Sequence, residues 1–164
     1  MRATTGVVLI GVLASTLLLA SCDSEDDTAG YGHVEVTDLP QDATEHFTAE
    51  PAEIAARLVL RENGCVNVEI DGVEHVPLWP EGTSVEQNGE EPAQYTVELS
   101  SDIELAVSTT GGDGFTANGV VDTATTPLTE DDKDGKVGSF VAYCEAPGAP
   151  VAFFDAASFQ PTGA

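Results

Sequence analysis

Basic side chains are scarce in this sequence. Its 164 residues include 5 Lys and Arg against 29 Asp and Glu, which gives a formal net charge of -24. A protein that binds nucleic acid neutralises phosphates with clustered basic residues. The chain has too few of them for such a cluster, and we therefore exclude nucleic acid as a partner.

Known catalytic motifs are missing as well. The sequence has no Gly-x-Ser-x-Gly, no His-Glu-x-x-His and no glycine-rich phosphate loop followed by lysine, since the glycine run at 111–114 leads into Phe115. We therefore expect no enzyme. A hydrolase acting on envelope glycans stays open as an alternative, because two of the many carboxylates can lie at a glycosidase-like separation.

The chain has one long apolar run, at residues 6–20, preceded by Arg2 and followed by acidic residues from Asp23. It is shorter than the about 20 residues that a spanning helix needs, and its flanks are typical of an export signal. The sequence at 19–22, Leu-Ala-Ser-Cys, is similar to a bacterial lipobox. This predicts a signal peptide over residues 1–21 and lipidation of Cys22, so that the mature protein stays anchored to the outer face of the cell membrane. Ordinary secretion with an incidental Cys22 is the alternative.

Cysteine is rare, with three residues in all. With Cys22 assigned to lipid, Cys65 and Cys144 remain, and an oxidising compartment outside the membrane favours a disulfide between them. A redox-active pair would have Cys-x-x-Cys spacing, and a zinc site would have further ligands at short spacing. Neither pattern is present, so we predict a structural disulfide.

Residues 22–50 combine the lipidated cysteine with an acidic, glycine-containing segment of little apolar periodicity. We predict a flexible tether, in which His33 and His46 are surface residues. A coil of this length spans roughly 30 Å on average, which would lift a small domain clear of the membrane.

Residues 51–160 have short β-prone runs separated by turn dipeptides, and helical periodicity is not evident. This pattern predicts an all-β domain. The expected strands cover residues 54–61, 65–70, 74–79, 94–99, 103–108, 115–122, 139–145 and 151–155. Asn63-Gly64 and Asp71-Gly72 supply the positive φ angles of hairpin turns.

Hydrophobic matching predicts the register of the first three strands. A three-residue loop ending at Gly64 places Leu60 beside Val66, and an equivalent loop over 71–73 places Val68 beside Val76. On the opposite face Arg57, Glu69 and His75 would then form a cross-strand polar row. We interpret this row as a structural ladder rather than a metal site, because a lone histidine rarely binds metal.

Several short elements resemble those of a group of small, largely uncharacterised bacterial lipoprotein or secreted domains. They are Gly64-Cys65, Trp-Pro-Glu-Gly-Thr at 79–83, Asp-Ile-Glu-Leu at 102–105, a glycine-rich turn and the late Cys144. The resemblance covers about residues 54–156. It implies a compact antiparallel OB-like β-barrel and a disulfide, and it implies no known reaction. A barrel would also protect strand edges, while a β-sandwich is the alternative fold.

One acidic segment resembles half of a calcium-binding loop. Glu130, Asp132 and Asp134 alternate and are followed by Gly135, but the twelfth position is Val141 where a bidentate Glu is expected. A solvated acidic loop is the simpler interpretation, and weak Ca²⁺ binding is the alternative. We expect no other cofactor.

These observations together predict a membrane-anchored, extracytoplasmic lipoprotein that acts as a non-enzymatic binding or envelope-associated module. Its expected contacts are the membrane, through the lipid on Cys22, and an envelope protein partner.

Overall fold

A computed structural model of the protein describes residues 32–41, 43, 45–88 and 94–163. In chain order the strands are β1 (Ala52–Leu60), β2 (Val66–Ile70), β3 (Val73–His75), β4 (Pro77–Leu78), β5 (Ser84–Asn88), β6 (Gln94–Glu98), β7 (Glu104–Ser108), β8 (Gly111–Gly112), β9 (Gly114–Val121), β10 (Val151–Phe153) and β11 (Gln160–Gly163). The helices are α1 (Leu128–Asp131) and α2 (Lys136–Cys144), with 3₁₀ turns at Val36–Asp38 and Ala156–Ser158.

The strands form a nearly closed, barrel-like sheet and a second antiparallel sheet. The larger sheet has the order β3-β2-β1-β9-β10-β4, with β11 also paired to β9, and the smaller has the order β5-β6-β7-β8. This confirms the predicted β-barrel class. One pair departs from an antiparallel barrel, because β4 and β10 run parallel.

The predicted register is correct for the first hairpin and wrong for the second. Leu60 lies beside Val66, and Gly64 takes the positive φ of the three-residue loop. In the second hairpin, however, Asp71 and Gly72 both have positive φ and form a two-residue turn, so that Val68 lies beside His75. An Asp-Gly pair suits this tight turn, whose twist matches that of the flanking strands.

The predicted strand at 139–145 is wrong, because residues 139–144 belong to helix α2 and Glu145 follows its last turn. Val137, Phe140, Val141 and Cys144 follow the i, i+3, i+4, i+7 spacing of a helix face. Val137 and Cys144 are fully buried, while Phe140 and Val141 pack against buried clusters. The β-branched and aromatic residues of this segment therefore form the buried face of a helix.

Aromatic side chains fill the middle of the barrel. Trp79, Phe115, Phe153 and Phe159 are each at most 2% exposed, and their ring centroids lie 5.1 to 6.5 Å apart. Leu58, Val68, Val97 and Leu105 belong to the same cluster. This interior is occupied by the protein's own side chains.

Residues 32–50, which we call the strap, pack against the rest of the domain at several of their described positions, in contrast to the expected tether. Val34 is completely buried, and Trp79 exchanges backbone hydrogen bonds of 2.8 and 2.9 Å with Val36 and Val34. Val34 and Phe47 share a second hydrophobic cluster with residues of β10 and α2. Val36, Leu39 and Ala43 pack against the same cluster at irregular spacing, which explains why the strap has no periodic pattern.

Candidate functional site

The strap is held to the barrel by its acidic side chains. Glu35 accepts hydrogen bonds of 3.1 Å from the amides of Gly82 and Thr83, within the Trp-Pro-Glu-Gly-Thr element. Asp38 accepts a 2.6 Å bond from the Lys136 ammonium. Burial raises the pKa of Asp38, but bonds from the Glu35 amide and from Lys136 outweigh it and hold the pKa below its ordinary 3.8.

His46 is buried between two carboxylates, which corrects the prediction of a surface residue. Its Nδ1 lies 2.6 Å from Oδ2 of Asp122, just after β9, and its Nε2 lies 3.4 Å from Oδ2 of Asp131 in α1. The side chains of His46 and Asp122 are 1% and 4% exposed. Asp122 also accepts a 2.8 Å bond from the Ala124 amide. A substrate has no access to this imidazole, so its geometry suits it to fixing the strap.

The segment with the calcium-like spacing has a structural use for one of its carboxylates. Asp132 follows α1, and its Oδ2 accepts a 3.0 Å bond from the Gly138 amide in the first turn of α2. The carboxylate lies against Gly135, where an added Cβ would overlap it. A carboxylate at this helix end is stabilised by the free amides and the helix dipole.

Asp132 is thus not gathered with its two sequence neighbours into a cation site. Glu130 and Asp134 are exposed to solvent, and Lys133 lies 4.0 Å from Asp134. Across the part of the chain that the structure describes, no group of three or more His, Cys, Asp or Glu residues is arranged to hold a metal ion.

His75 leaves the expected polar row because of the shorter second turn. Arg57 and Glu69 pair as predicted, at 2.9 Å, but the residue beside Glu69 on β3 is Glu74. His75 points inward, with Nδ1 2.7 Å from the carbonyl oxygen of Ala149 and its ring against Gly148. The imidazole thereby fixes the loop that follows α2.

The predicted disulfide joins Cys65, just before β2, to Cys144, the last residue of α2, with 5.7 Å between the Cα atoms. Both residues are buried beside Val76. The bridge holds the carboxyl end of α2 against the barrel.

A pocket of about 430 Å³, which we call the α2 pocket, opens beside that end of the helix. Its walls include Asp122, Val141, Ala142 and Glu145, together with the prolines Pro127, Pro147 and Pro150. The Gly148 amide donates a 2.8 Å bond to the Glu74 carbonyl, and the Asp122 amide donates one of 2.8 Å to the Pro150 carbonyl. With the contact from His75, these bonds make the pocket a preformed feature.

A larger depression of about 560 Å³, the inter-sheet groove, lies where the two sheets meet. Its lining is mainly polar or glycine, with Arg57 and Gly114 from the larger sheet and Gln94, Thr96 and Ser108 from the smaller one. Asp113 also lines it, but its carboxylate is engaged by the Ala106 amide at 2.8 Å. These groups offer hydrogen bonds to a polar ligand.

No protein-family model, curated protein or solved structure matches this chain.

Two of the predicted features lie outside the described residues: the signal peptide and the lipidation site at Cys22. Among the helices that the structure describes, none is long and apolar enough to cross a membrane. The His46–Asp122 contact was not predicted from the sequence, because its partners are 76 residues apart. The only local signal was the apolar Phe47 next to His46.

Proposed function

We propose that this chain is a lipoprotein, anchored to the outer face of a cell membrane through lipid on Cys22, whose β-domain is a non-enzymatic binding module. The observation that carries the proposal is the lipobox-like sequence at the end of a short apolar run. The Cys65–Cys144 pair supports it, because disulfides persist in oxidising compartments outside the cytoplasm. The resemblance to small bacterial lipoprotein domains belongs to the same proposal.

The filled barrel supports binding at the surface. Aromatic side chains occupy the interior, so a ligand has to use an external depression such as the inter-sheet groove or the α2 pocket. Both volumes fall within the range of about 300–1,000 Å³ that is typical of ligand sites.

The packed strap brings the domain close to the membrane in this proposal. Cys22 precedes Gly32 by ten positions, and ten residues span at most about 35 Å. Cleavage before Cys22 would remove Arg2 and no acidic residue, leaving 4 basic against 29 acidic residues and a charge of -25. Anionic headgroups would repel a domain of this charge, so we expect it to stand away from the bilayer surface and not to lie on it.

The groove is well placed to meet a partner. The strap packs near Val120, towards the end of β9, whereas the groove includes Gly114 at the start of that strand. Six strand residues separate the two by roughly 20 Å. The groove therefore lies towards the end of the domain away from the strap.

The anchor is tested by Cys22→Ala, with Ser24→Ala as a matched control outside the lipobox. We expect the Cys22→Ala protein to move from the membrane to the medium or to the soluble envelope fraction, while the Ser24→Ala protein stays with the membrane. Membrane retention of both proteins would contradict lipidation.

The binding role is tested by photo-crosslinking in intact envelopes. A photoreactive amino acid at Thr110, which is exposed in the groove, should crosslink a protein partner. The same group at Glu104, which is exposed on β7 and outside both depressions, provides the control. Equal crosslinking from the two positions, or none from Thr110, would count against the groove as the binding surface.

A further inference from the structure

The buried imidazole of His46 faces a carboxylate at each ring nitrogen. Nδ1 lies 2.6 Å from Oδ2 of Asp122, and Nε2 lies 3.4 Å from Oδ2 of Asp131. A protonated imidazole carries hydrogen on both nitrogens, whereas a neutral one carries it on one and has a lone pair on the other. A neutral His46 would therefore turn a lone pair towards a carboxylate oxygen in either tautomer. The geometry matches the charged form of the ring.

Burial makes this contact sensitive to charge. The side chains of His46 and Asp122 are 1% and 4% exposed, and Asp122 is also held by the Ala124 amide. A buried carboxylate that loses its counter-charge is destabilised, because water does not replace the lost partner. The Asp131 side chain is 44% exposed, so it can turn to solvent instead. Loss of the proton from His46 therefore weakens the contact mainly at Asp122.

The charged groups on the neighbouring elements leave this balance to the imidazole. Glu45 precedes His46 on the strap, and Glu130 lies on α1; both are exposed and acidic. Lys136, at the start of α2, lies 2.6 Å from Asp38, and Lys133 lies 4.0 Å from the carboxylate of the residue that follows it. The two lysines are thus engaged with other carboxylates, and the proton on the imidazole supplies the positive charge beside Asp122.

We propose that protonation of His46 is a pH switch for the strap. The charged imidazole holds the strap against the end of β9 and against α1, and the strap opens more often as the pH rises through the range of about 5 to 8 in which imidazoles lose their proton. The stabilisation requires the protonated form, so it is present in acid and lost as the pH rises.

The rest of the attachment limits the response to a loosening of the strap. Val34 stays buried in an apolar cluster, and its packing does not depend on pH. The Asp38 carboxylate stays ionised beside Lys136 over this range, because its pKa lies below 3.8. The switch is a property of the folded domain and does not require lipid on Cys22.

The test measures hydrogen exchange by NMR in the full chain, purified in mild detergent, from about pH 5.5 to about pH 8.5. The amides of Val36 and Trp79 bond the strap to the barrel and report its opening, while the Leu58 amide, bonded to the Asp113 carbonyl, reports on the barrel. Protection factors correct for the intrinsic effect of pH on exchange and follow local opening. We expect protection at Val36 and Trp79 to fall at least about fivefold over this range, and protection at Leu58 to change less than about twofold.

Two pairs of variants assign the response to the buried contact. His46→Gln should abolish the fall in protection, whereas His33→Gln, which removes the exposed strap histidine 3.6 Å from Glu35, should retain it. Asp122→Asn removes the buried charge with little change in size and should also abolish the fall. Glu130→Gln removes the same charge from an exposed position on α1 and should retain it.

Protection at Val36 and Trp79 that stays constant with pH would overturn the switch. A fall that persists in His46→Gln or in Asp122→Asn would overturn it as well. A fall shared equally by Leu58 would show a response of the whole domain, such as titration of His75, and would also contradict the proposal. If fluorescence of Trp79 shows that His46→Gln does not fold, the comparison of Asp122→Asn with Glu130→Gln decides alone.

Discussion

Replacing His46 with alanine tests whether the buried contact with Asp122 fixes the strap. The two side chains are 1% and 4% exposed, and 2.6 Å separates Nδ1 from Oδ2. A hydrogen bond to a charged group contributes about 1.5–3 kcal/mol, and a buried carboxylate left without its partner costs about 1–3 kcal/mol or more. Asp131 adds less than about 0.5 kcal/mol, because its side chain is 44% exposed. We expect His46→Ala to lower the free energy of unfolding by about 2–4 kcal/mol.

Trp79 gives a direct assay of this loss. It is the only tryptophan, it is 1% exposed, and its backbone bonds to the strap at Val34 and Val36. Its fluorescence during urea unfolding at pH 7 therefore reports on the barrel that the strap covers. His33→Ala is the matched control, because His33 is 28% exposed and 3.6 Å from Glu35. This control should change stability by less than about 0.5 kcal/mol.

A double-mutant cycle decides whether the contact itself is responsible. Asp122→Ala combined with His46→Ala should destabilise the protein by at least about 1 kcal/mol less than the sum of the single changes, because neither partner is then left buried alone. Additive losses, or an effect of His46→Ala no larger than that of the His33 control, would refute a stabilising role for the His46–Asp122 contact.

Three further changes test other parts of the structure. Asp38→Asn should lower the free energy of unfolding by about 0.5–1 kcal/mol at neutral pH. Because the pKa of Asp38 in the folded protein lies below 3.8, its stabilisation is present above pH 3.8 and is lost as the pH falls through the folded pKa. Stability curves of the wild type and the variant should therefore converge in acid. Phe159→Ala should cost about 3–5 kcal/mol in urea unfolding, since it leaves a cavity among three aromatic rings, and a loss below about 1 kcal/mol would contradict the filled interior. Non-reducing peptide mapping should recover Cys65 linked to Cys144, and free thiols in the native protein would exclude the bridge. Replacing both cysteines, Cys65→Ser with Cys144→Ser, should lower the free energy of unfolding by up to about 4 kcal/mol.

Local patterns predicted the barrel strands well where turn chemistry and hydrophobic matching agreed. Leu58 and Leu60 in β1 pair with Val68 and Val66 as expected. The same matching misled at Asp71-Gly72, because the tight turn of this dipeptide prevailed over pairing Val68 with Val76.

Features that depend on contacts between residues far apart in sequence could not be predicted from local sequence patterns. The α2 residues are β-prone one by one, and their helical spacing becomes decisive only because the barrel offers a surface for that face. His46 needs Asp122, and the α2 pocket needs α1, α2, the end of β9 and the loop held by His75. Those elements are joined by tertiary packing, which leaves no periodic trace in the sequence.

The strap has a mechanical consequence if Cys22 is anchored. A pull from the membrane reaches the domain at Gly32, so the load falls first on the pairing of Val34 with Trp79 and then on the His46 contact. The disulfide lies beyond the strap and holds the end of α2 against the barrel. Peeling residues 33–47 would add up to about 50 Å of reach. Under load the strap would then detach and lengthen the connection to the membrane before the barrel unfolds.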